Sequence, residues 1–255
     1  MSTGLGRSAV IDLDALRSNV SALTSSPVQS SVDVRADAYG HGLNRVAQAL
    51  ADQGVGQFLV STHDDVAALA RLGISATASI SSGAPESLGK PLGLGVYGLA
   101  SDGLAGDAAL RPTMRLTGEV ISVKTVPAGS GVSYGYTYRT TQTTRLALIA
   151  LGFADGIPRV ASNRAPVRIR KFTGRITGRV AMDQFVVDVG AEVVEVGDRA
   201  VLFGDARLGE PTIAAWSSSV GIAPEVILAR IGARVVRSYS SGDSAGLEFA
   251  TAASR

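Results

Sequence analysis

The chain has 255 residues, of which 45% are hydrophobic and 18% charged, a composition typical of a soluble protein with an extensive core. Its 24 Lys and Arg against 22 Asp and Glu give a net charge of +2, and only Arg168–Phe172 forms a basic cluster, which argues against a nucleic-acid partner. The lack of cysteine excludes disulfides, thiolate nucleophiles and cysteine–metal sites. It also fits a cytoplasmic protein. We expect no metal site of any kind. No apolar run approaches the ~20 residues of a membrane span, and the N-terminus lacks the pattern of a signal peptide.

Strands and helices alternate in the first third of the chain. Apolar spacing predicts a strand and then a helix from Ser8, followed by strands at Ser31–Arg35, Gly56–Val60 and Ala76–Ile80 with helices between them. Ser61–Asp64 is expected to form a capping box at a helix start. Repeated βα units at this spacing predict a parallel sheet. The segment Ser81–Gly95 is rich in Gly, Pro and Ser without periodicity, and its last part is interpreted as a linker.

The rest of the chain is predicted to be mostly β. Strand-like runs are separated by Gly and Asp turns, and two short helices are expected near Ile213–Ser218 and Pro224–Ile231. We therefore divide the chain into domains of residues 8–105 and 111–240. The first is too short for a closed eight-stranded βα barrel, which takes about 250 residues, and is expected to be a half-barrel or a small open sheet.

Five motifs occur in order along the chain: AVIDLDALRSNV, VRADAYGHG, VSYGYTY, LGFADGIPR and GRVAMDQFVVDVG. Together they resemble alanine racemases, pyridoxal-phosphate enzymes that interconvert L- and D-alanine for peptidoglycan. The resemblance implies an α/β plus all-β fold, in which a truncated (β/α) barrel-like N-terminal part precedes a C-terminal β-barrel domain of alanine racemase type. It also implies pyridoxal phosphate as cofactor and a head-to-tail homodimer in which a tyrosine enters the neighbouring active site.

The resemblance assigns roles to individual residues. Tyr39 corresponds to a cofactor phosphate contact and Tyr134 to the tyrosine base, while Met182 and Asp183 correspond to the turn that shapes the substrate pocket. Arg35 stands where the family has the lysine that carries the cofactor and serves as the second base. A guanidinium remains protonated and cannot replace that amine.

Further departures weaken the implied site. Pro224 and Phe153 replace family tyrosines, and the middle of the barrel, with the residues that orient the base tyrosine, is missing at Ser81–Gly95. The sequence thus predicts a catalytically defective, non-catalytic or partner-associated paralogue, paired with itself or with a complete racemase. An active amino-acid racemase and a module that binds pyridoxal phosphate or a small anion without turnover remain as alternatives.

Local patterns leave several side chains with two interpretations. Arg35 is either an anion ligand or the partner of Asp33 or Asp37 in an ion pair. Tyr39 is either a ligand contact or a packing residue. His41 is interpreted as a helix-entry residue rather than a base. The alternation of Tyr134 with Tyr136 and Tyr138 predicts that all three lie on one face of a strand.

Overall fold

The computed structural model describes residues 6–78, 89–99 and 110–241. The chain divides into two compact units, which we call the α/β unit (Val10–Met114 with Arg237–Arg255) and the barrel unit (Met1–Ala9 with Arg115–Val236). The boundary expected between residues 105 and 111 falls largely on residues 100–109, which lie outside the described residues.

The α/β unit contains the predicted parallel sheet. The first strand, β1 (Ser8–Asp12), begins in the barrel unit and ends in the α/β unit. The elements that follow it in chain order are α1 (Leu13–Leu23), β2 (Ser30–Asp33), α2 (Arg35–Gly40), α3 (Leu43–Asp52), β3 (Gln57–Val60), α4 (His63–Ala70), β4 (Ala76–Ala78) and β5 (Lys90–Pro91). The strands are arranged in the order β4-β3-β2-β5, and all neighbours are parallel. The described sheet therefore has half of the strands that close a (β/α)8 barrel.

Side-chain caps fix where helices α1 and α4 begin. The Asp12 carboxylate accepts the Ala15 amide at 2.8 Å at the start of α1. At α4 the Thr62 hydroxyl accepts the Asp65 amide at 3.1 Å, and the Asp65 carboxylate accepts the Thr62 amide at 3.0 Å. The capping box thus exists one residue later than the predicted Ser61–Asp64, because the reciprocal bonds form between Thr62 and Asp65.

The linker interpretation is wrong from Gly89 onward. Strand β5 pairs with β2, and the Leu92 amide donates to the Ser31 carbonyl at 3.0 Å. A 3-10 turn at Gly93–Tyr97 follows and buries Tyr97. A two-residue strand is too short to show side-chain periodicity, so its place in the sheet is specified by main-chain bonds. The earlier residues 81–88 lie outside the described part of the chain.

The barrel unit contains the predicted C-terminal β-barrel. Its elements are β6 (Met114–Val126), β7 (Gly131–Val132), β8 (Tyr138–Arg139), β9 (Thr144–Ile149), β10 (Pro166–Ile169), β11 (Phe172–Thr177), β12 (Phe185–Gly190), β13 (Arg199–Phe203), α5 (Ile213–Val220), α6 (Pro224–Ala229) and, continuing into the α/β unit, β14 (Val236–Ser240). Six strands close in the order β6-β9-β12-β11-β10-β13 and back to β6, every pair antiparallel. Closure removes the open sheet edges.

Apolar side chains from alternate strand positions fill this barrel unit. The fully buried set includes Val120, Ala147, Ile149, Val167, Ile169, Ile176, Val187 and Leu202. Trp216 on α5 packs edge-on against Phe203, and its indole N–H donates to the Pro166 carbonyl at 2.9 Å. Both predicted helices are present, and Pro224 occupies the first turn of α6, where its missing N–H is tolerated. None of the helices in the described ranges is long and apolar enough to cross a membrane.

We predict that Gly152→Ala destabilises the barrel unit by about 1–3 kcal/mol, because the added Cβ would overlap main-chain atoms of Met182 and Gln184. Gly232→Ala is the matched control, since its Cβ would lie 3.4 Å from the nearest atom, an ordinary contact. Urea unfolding measures both free energies. Equal losses of unfolding free energy in the two variants would contradict the close contact of Gly152 with Met182 and Gln184.

Candidate functional site

A left-handed turn follows strand β2 in the α/β unit. Ala36, Asp37, Ala38 and Tyr39 have φ between 52° and 57°, although none of them is glycine. Each such residue costs roughly 1–2 kcal/mol relative to the right-handed conformation. The turn therefore depends on contacts that hold both of its ends.

The Asp33 carboxylate supplies those contacts. Oδ2 accepts from Arg35 Nη2 at 2.6 Å and from the Tyr39 hydroxyl at 3.0 Å. Oδ1 accepts from Arg35 Nε and from the Arg35 main-chain amide, both at 3.0 Å. One carboxylate thus binds Arg35, which directly precedes the strained segment, and Tyr39, its last residue.

These contacts settle the partner of Arg35. Burial would raise the pKa of the Asp33 carboxyl, but the hydrogen bonds from Arg35 and Tyr39 outweigh burial and lower it. The hydrogen bond to Asp33 in turn raises the pKa of Arg35, so both groups are charged at neutral pH. The ion pair of Arg35 is with Asp33, whereas the Asp37 carboxylate accepts the Leu43 amide at 2.7 Å.

Buried rings pack behind the turn. Tyr97 lies 5.2 Å from the Tyr39 ring and 5.0 Å from the His41 ring, and its hydroxyl donates to the Asp33 carbonyl at 2.8 Å. His41 Nδ1 lies 2.9 Å from the Ala38 carbonyl oxygen. Burial lowers the pKa of His41 to about 4, so the ring is neutral at pH 7. His41 is therefore packed inside the unit rather than placed only at a helix entry.

Tyr134 lies in the barrel unit between two arginines. Its hydroxyl donates to the Val180 carbonyl at 3.0 Å and accepts a hydrogen bond from Arg159. The Arg159 and Arg179 guanidinium carbons lie 4.9 Å and 5.7 Å from the ring centroid. The Tyr134 hydroxyl thus both donates and accepts a hydrogen bond within the barrel unit.

The predicted strand face of three tyrosines is wrong. Ser133 and Tyr136 have φ of 58° and 45°, values that no β-strand allows, and β8 begins only at Tyr138. Tyr138 instead donates to the Asp188 carboxylate at 2.8 Å. Because the backbone reverses twice, the alternation in sequence does not become an alternation in space.

Met182 and Asp183 form a turn beside a buried carboxylate. The Asp183 carboxylate binds Arg234 Nη2 at 2.6 Å. Arg234 Nε and Arg7 Nε lie 3.3 Å and 3.2 Å from the fully buried Asp155 carboxylate. The Met182 carbonyl accepts a hydrogen bond from the Ala154 amide at 2.8 Å. The Met182 side chain is exposed, so the turn is held through its backbone and Asp183.

The described structure brings the predicted residues together in two sets. Arg35 and Tyr39 meet on Asp33 in the α/β unit, whereas Tyr134, Met182 and Asp183 lie around Val180 in the barrel unit. Sequence reasoning missed Tyr97 and the arginines beside Tyr134, because contacts between distant positions leave no local pattern. Among the described residues, no three His, Asp or Glu side chains group as metal ligands.

We predict that stability falls as pH decreases from about 6.5 towards about 4, by about 2–3 kcal/mol from His41 alone. Its pKa is lower in the folded chain than in the unfolded chain, so the unfolded chain binds the proton first and gains stability. His41→Gln is expected to remove this component of the pH profile of unfolding. The matched control, His63→Gln, changes the only other histidine, which is exposed. An unchanged profile in His41→Gln would contradict the assignment.

Two solved structures are similar to this chain. The alanine racemase of D-cycloserine-producing Streptomyces lavendulae has a TM-score of 0.85 and 28% identity, over 94% of this chain and 98% of that one. The alanine racemase of Bartonella henselae, solved with covalently bound pyridoxal phosphate, has a TM-score of 0.76 and 19% identity, over 92% and 99% of the two chains. The second comparison shows a shared fold.

The residues of the turn after β2 do not fit a covalently bound pyridoxal phosphate. Covalent attachment needs an amine that can lose its proton, and Arg35 has a guanidinium that stays charged. Its Nη2 and Nε, together with the Tyr39 hydroxyl, are bound to Asp33. The Asp33 carboxylate thus occupies these donors of Arg35 and Tyr39.

Sequence comparison covers both units. The family models "Alanine racemase, N-terminal domain" and "Alanine racemase, C-terminal domain" match residues 11–92 and 113–239. The alanine racemase of Frankia casuarinae is 41% identical over 254 residues, which cover 93% of this chain and 64% of that protein. The chain spans less than two thirds of the length of such curated relatives. Matches to both domain models in the family order, with the barrel fold, show that this chain belongs to the pyridoxal-phosphate-dependent alanine racemase family.

Proposed function

We propose that this chain is a non-catalytic member of its family that acts through association with another chain. The observation that carries the proposal is the ion pair of Arg35 with Asp33 at the position of the cofactor lysine. Racemisation requires removal of the Cα proton from one face and its return from the other, hence two opposed bases. A guanidinium bound to a carboxylate provides neither a base nor an amine for the cofactor.

The state of the second base position supports the same conclusion. The Tyr134 hydroxyl directs its proton to the Val180 carbonyl and receives a hydrogen bond from Arg159. Phe153 and Pro224, at positions of family tyrosines, have no hydroxyl. Two family hydroxyls are therefore missing, and the one at position 224 is the one that the resemblance assigns to the cofactor phosphate.

A module that binds small anions without turnover is the weaker alternative. It would need Arg35 and Tyr39 as donors, and both bind Asp33. The proposal also includes a cytoplasmic location, with which the lack of cysteine agrees.

We predict that the purified chain with added pyridoxal phosphate converts L-alanine to D-alanine no faster than free cofactor. D-amino-acid oxidase detects the product, and an active alanine racemase under the same conditions is the positive control. The physical reason is the absence of an exchangeable amine at position 35. Turnover that rises in proportion to the concentration of the chain would refute the non-catalytic assignment.

An exposed apolar surface supports the proposed association. The Met182 patch consists of Tyr134, Phe153, Val160 and Met182, which are between 39% and 59% exposed. Main-chain bonds join Phe153 to Ala181, Tyr134 binds Val180, and Arg159, the neighbour of Val160, donates to the Tyr134 hydroxyl, so these residues lie near one turn. Exposed apolar side chains grouped on one part of a surface are typical of interaction sites. We propose a second copy of this chain as the occupant, in line with the dimer that the resemblance implies.

We predict reversible self-association in sedimentation experiments, weakened about tenfold or more by Met182→Glu, because the variant buries a charge in the patch. Val196→Glu is the matched control, since Val196 is 63% exposed and lies outside the Met182 patch. A well-folded chain that stays monomeric at all concentrations would contradict self-association, and the same loss in both variants would contradict the location.

A further inference from the structure

Building on the proposed function, we propose that Asp33 is a second, independent block to attachment of pyridoxal phosphate at position 35. Arg35→Lys alone would place an amine there, but the carboxylate would hold it as an ammonium ion. Two groups would then oppose attachment at this position, the guanidinium and its carboxylate partner.

The position of the Asp33 carboxylate does not depend on the side chain at position 35. Oδ1 accepts the main-chain amide of residue 35 at 3.0 Å, and Oδ2 accepts the Tyr39 hydroxyl at 3.0 Å. The backbone at this point is held by β2, since the Val34 amide donates to the Leu59 carbonyl at 2.9 Å. The carboxylate therefore stays beside residue 35 when the guanidinium is removed.

Charge determines whether an amine at this place can react. In imine formation the nitrogen lone pair attacks the aldehyde carbon and the carbonyl oxygen leaves as water, so the ammonium ion must first lose its proton. A carboxylate within about 4–6 Å raises the pKa of an ammonium by about 1–3 units. The neutral amine then becomes about tenfold or more scarcer than in an exposed lysine.

The other groups that contact Asp33 carry no positive charge. The Tyr39 hydroxyl is a neutral donor to the Asp33 carboxylate and the Tyr97 hydroxyl to the Asp33 main-chain carbonyl, and burial holds the pKa of Tyr97 well above its usual value. Arg237 donates to the Gly40 carbonyl at 3.0 Å, at the other end of the turn. The Asp37 carboxylate accepts the Leu43 amide, and His41 is buried and neutral. Within the described ranges, Arg35 is the one cation that forms an ion pair with Asp33.

The test compares Arg35→Lys with the double variant Asp33→Asn/Arg35→Lys. The full chain is treated with pyridoxal phosphate and borohydride across a pH series, and mass spectrometry reads the adduct on each peptide. Lys90, Lys124 and Lys171, the lysines of the natural chain, are all exposed and serve as internal references. Asparagine can still accept the amide of residue 35, so the double variant removes the charge and keeps the turn.

We expect residue 35 of Arg35→Lys to be labelled about tenfold or more slowly than the references near neutral pH, with a pH midpoint above theirs. In the double variant its labelling should rise to the reference rate. Labelling of the single variant at the reference rate, or no gain on neutralising Asp33, would overturn the proposal.

Two further outcomes are decisive. A slow rate with an unshifted pH midpoint indicates steric hindrance and also overturns the proposal. If circular dichroism shows that the double variant is unfolded, the midpoint of Arg35→Lys relative to Lys171 decides alone. Racemisation by the unaltered chain would refute the proposed function and leave this measurement unaffected, so the two failures are distinguishable.

Discussion

A single carboxylate organises the segment where the family places its cofactor lysine. Asp33 ends strand β2 and binds Arg35, just before a four-residue left-handed run, and Tyr39, the last residue of that run. Such a run is unfavourable for non-glycine residues, and a charge-assisted hydrogen bond at one end with a phenol at the other offsets part of that cost. The same contacts that stabilise the turn remove its donors from any external anion. One set of contacts therefore stabilises the turn and occupies its donors.

The barrel unit meets different demands. Its six strands close on themselves, so its core of apolar side chains is complete without a ligand. Buried charge is compensated locally, because Asp155 is bound by Arg7 and Arg234. The packing of this unit therefore relies on its own residues. That independence explains how a chain can keep the turn of Met182 and its exposed patch while its cofactor position carries an arginine.

Much of the fold was predictable because its signals are local. The strand Gln57–Val60 and the helix Leu43–Asp52 follow from apolar periodicity, and the parallel sheet follows from the order of these elements. Strand β5 was missed because two residues have no periodicity, and the tyrosines after Ser133 were misplaced because left-handed residues reverse the backbone. At the candidate site, the sequence identified Arg35 and Tyr39 but left the partner of Arg35 undecided.

The sequence by itself determined the family, the order of an α/β part and a β-barrel, and the replacement of an amine by a guanidinium at position 35. These properties depend on residue identity and on spacing along the chain. Only the tertiary structure decided that Asp33 rather than Asp37 is the ion-pair partner and that Tyr97 and His41 pack behind the turn. The direction of each carboxylate is set by backbone dihedral angles and by residues distant in sequence, which no local pattern encodes.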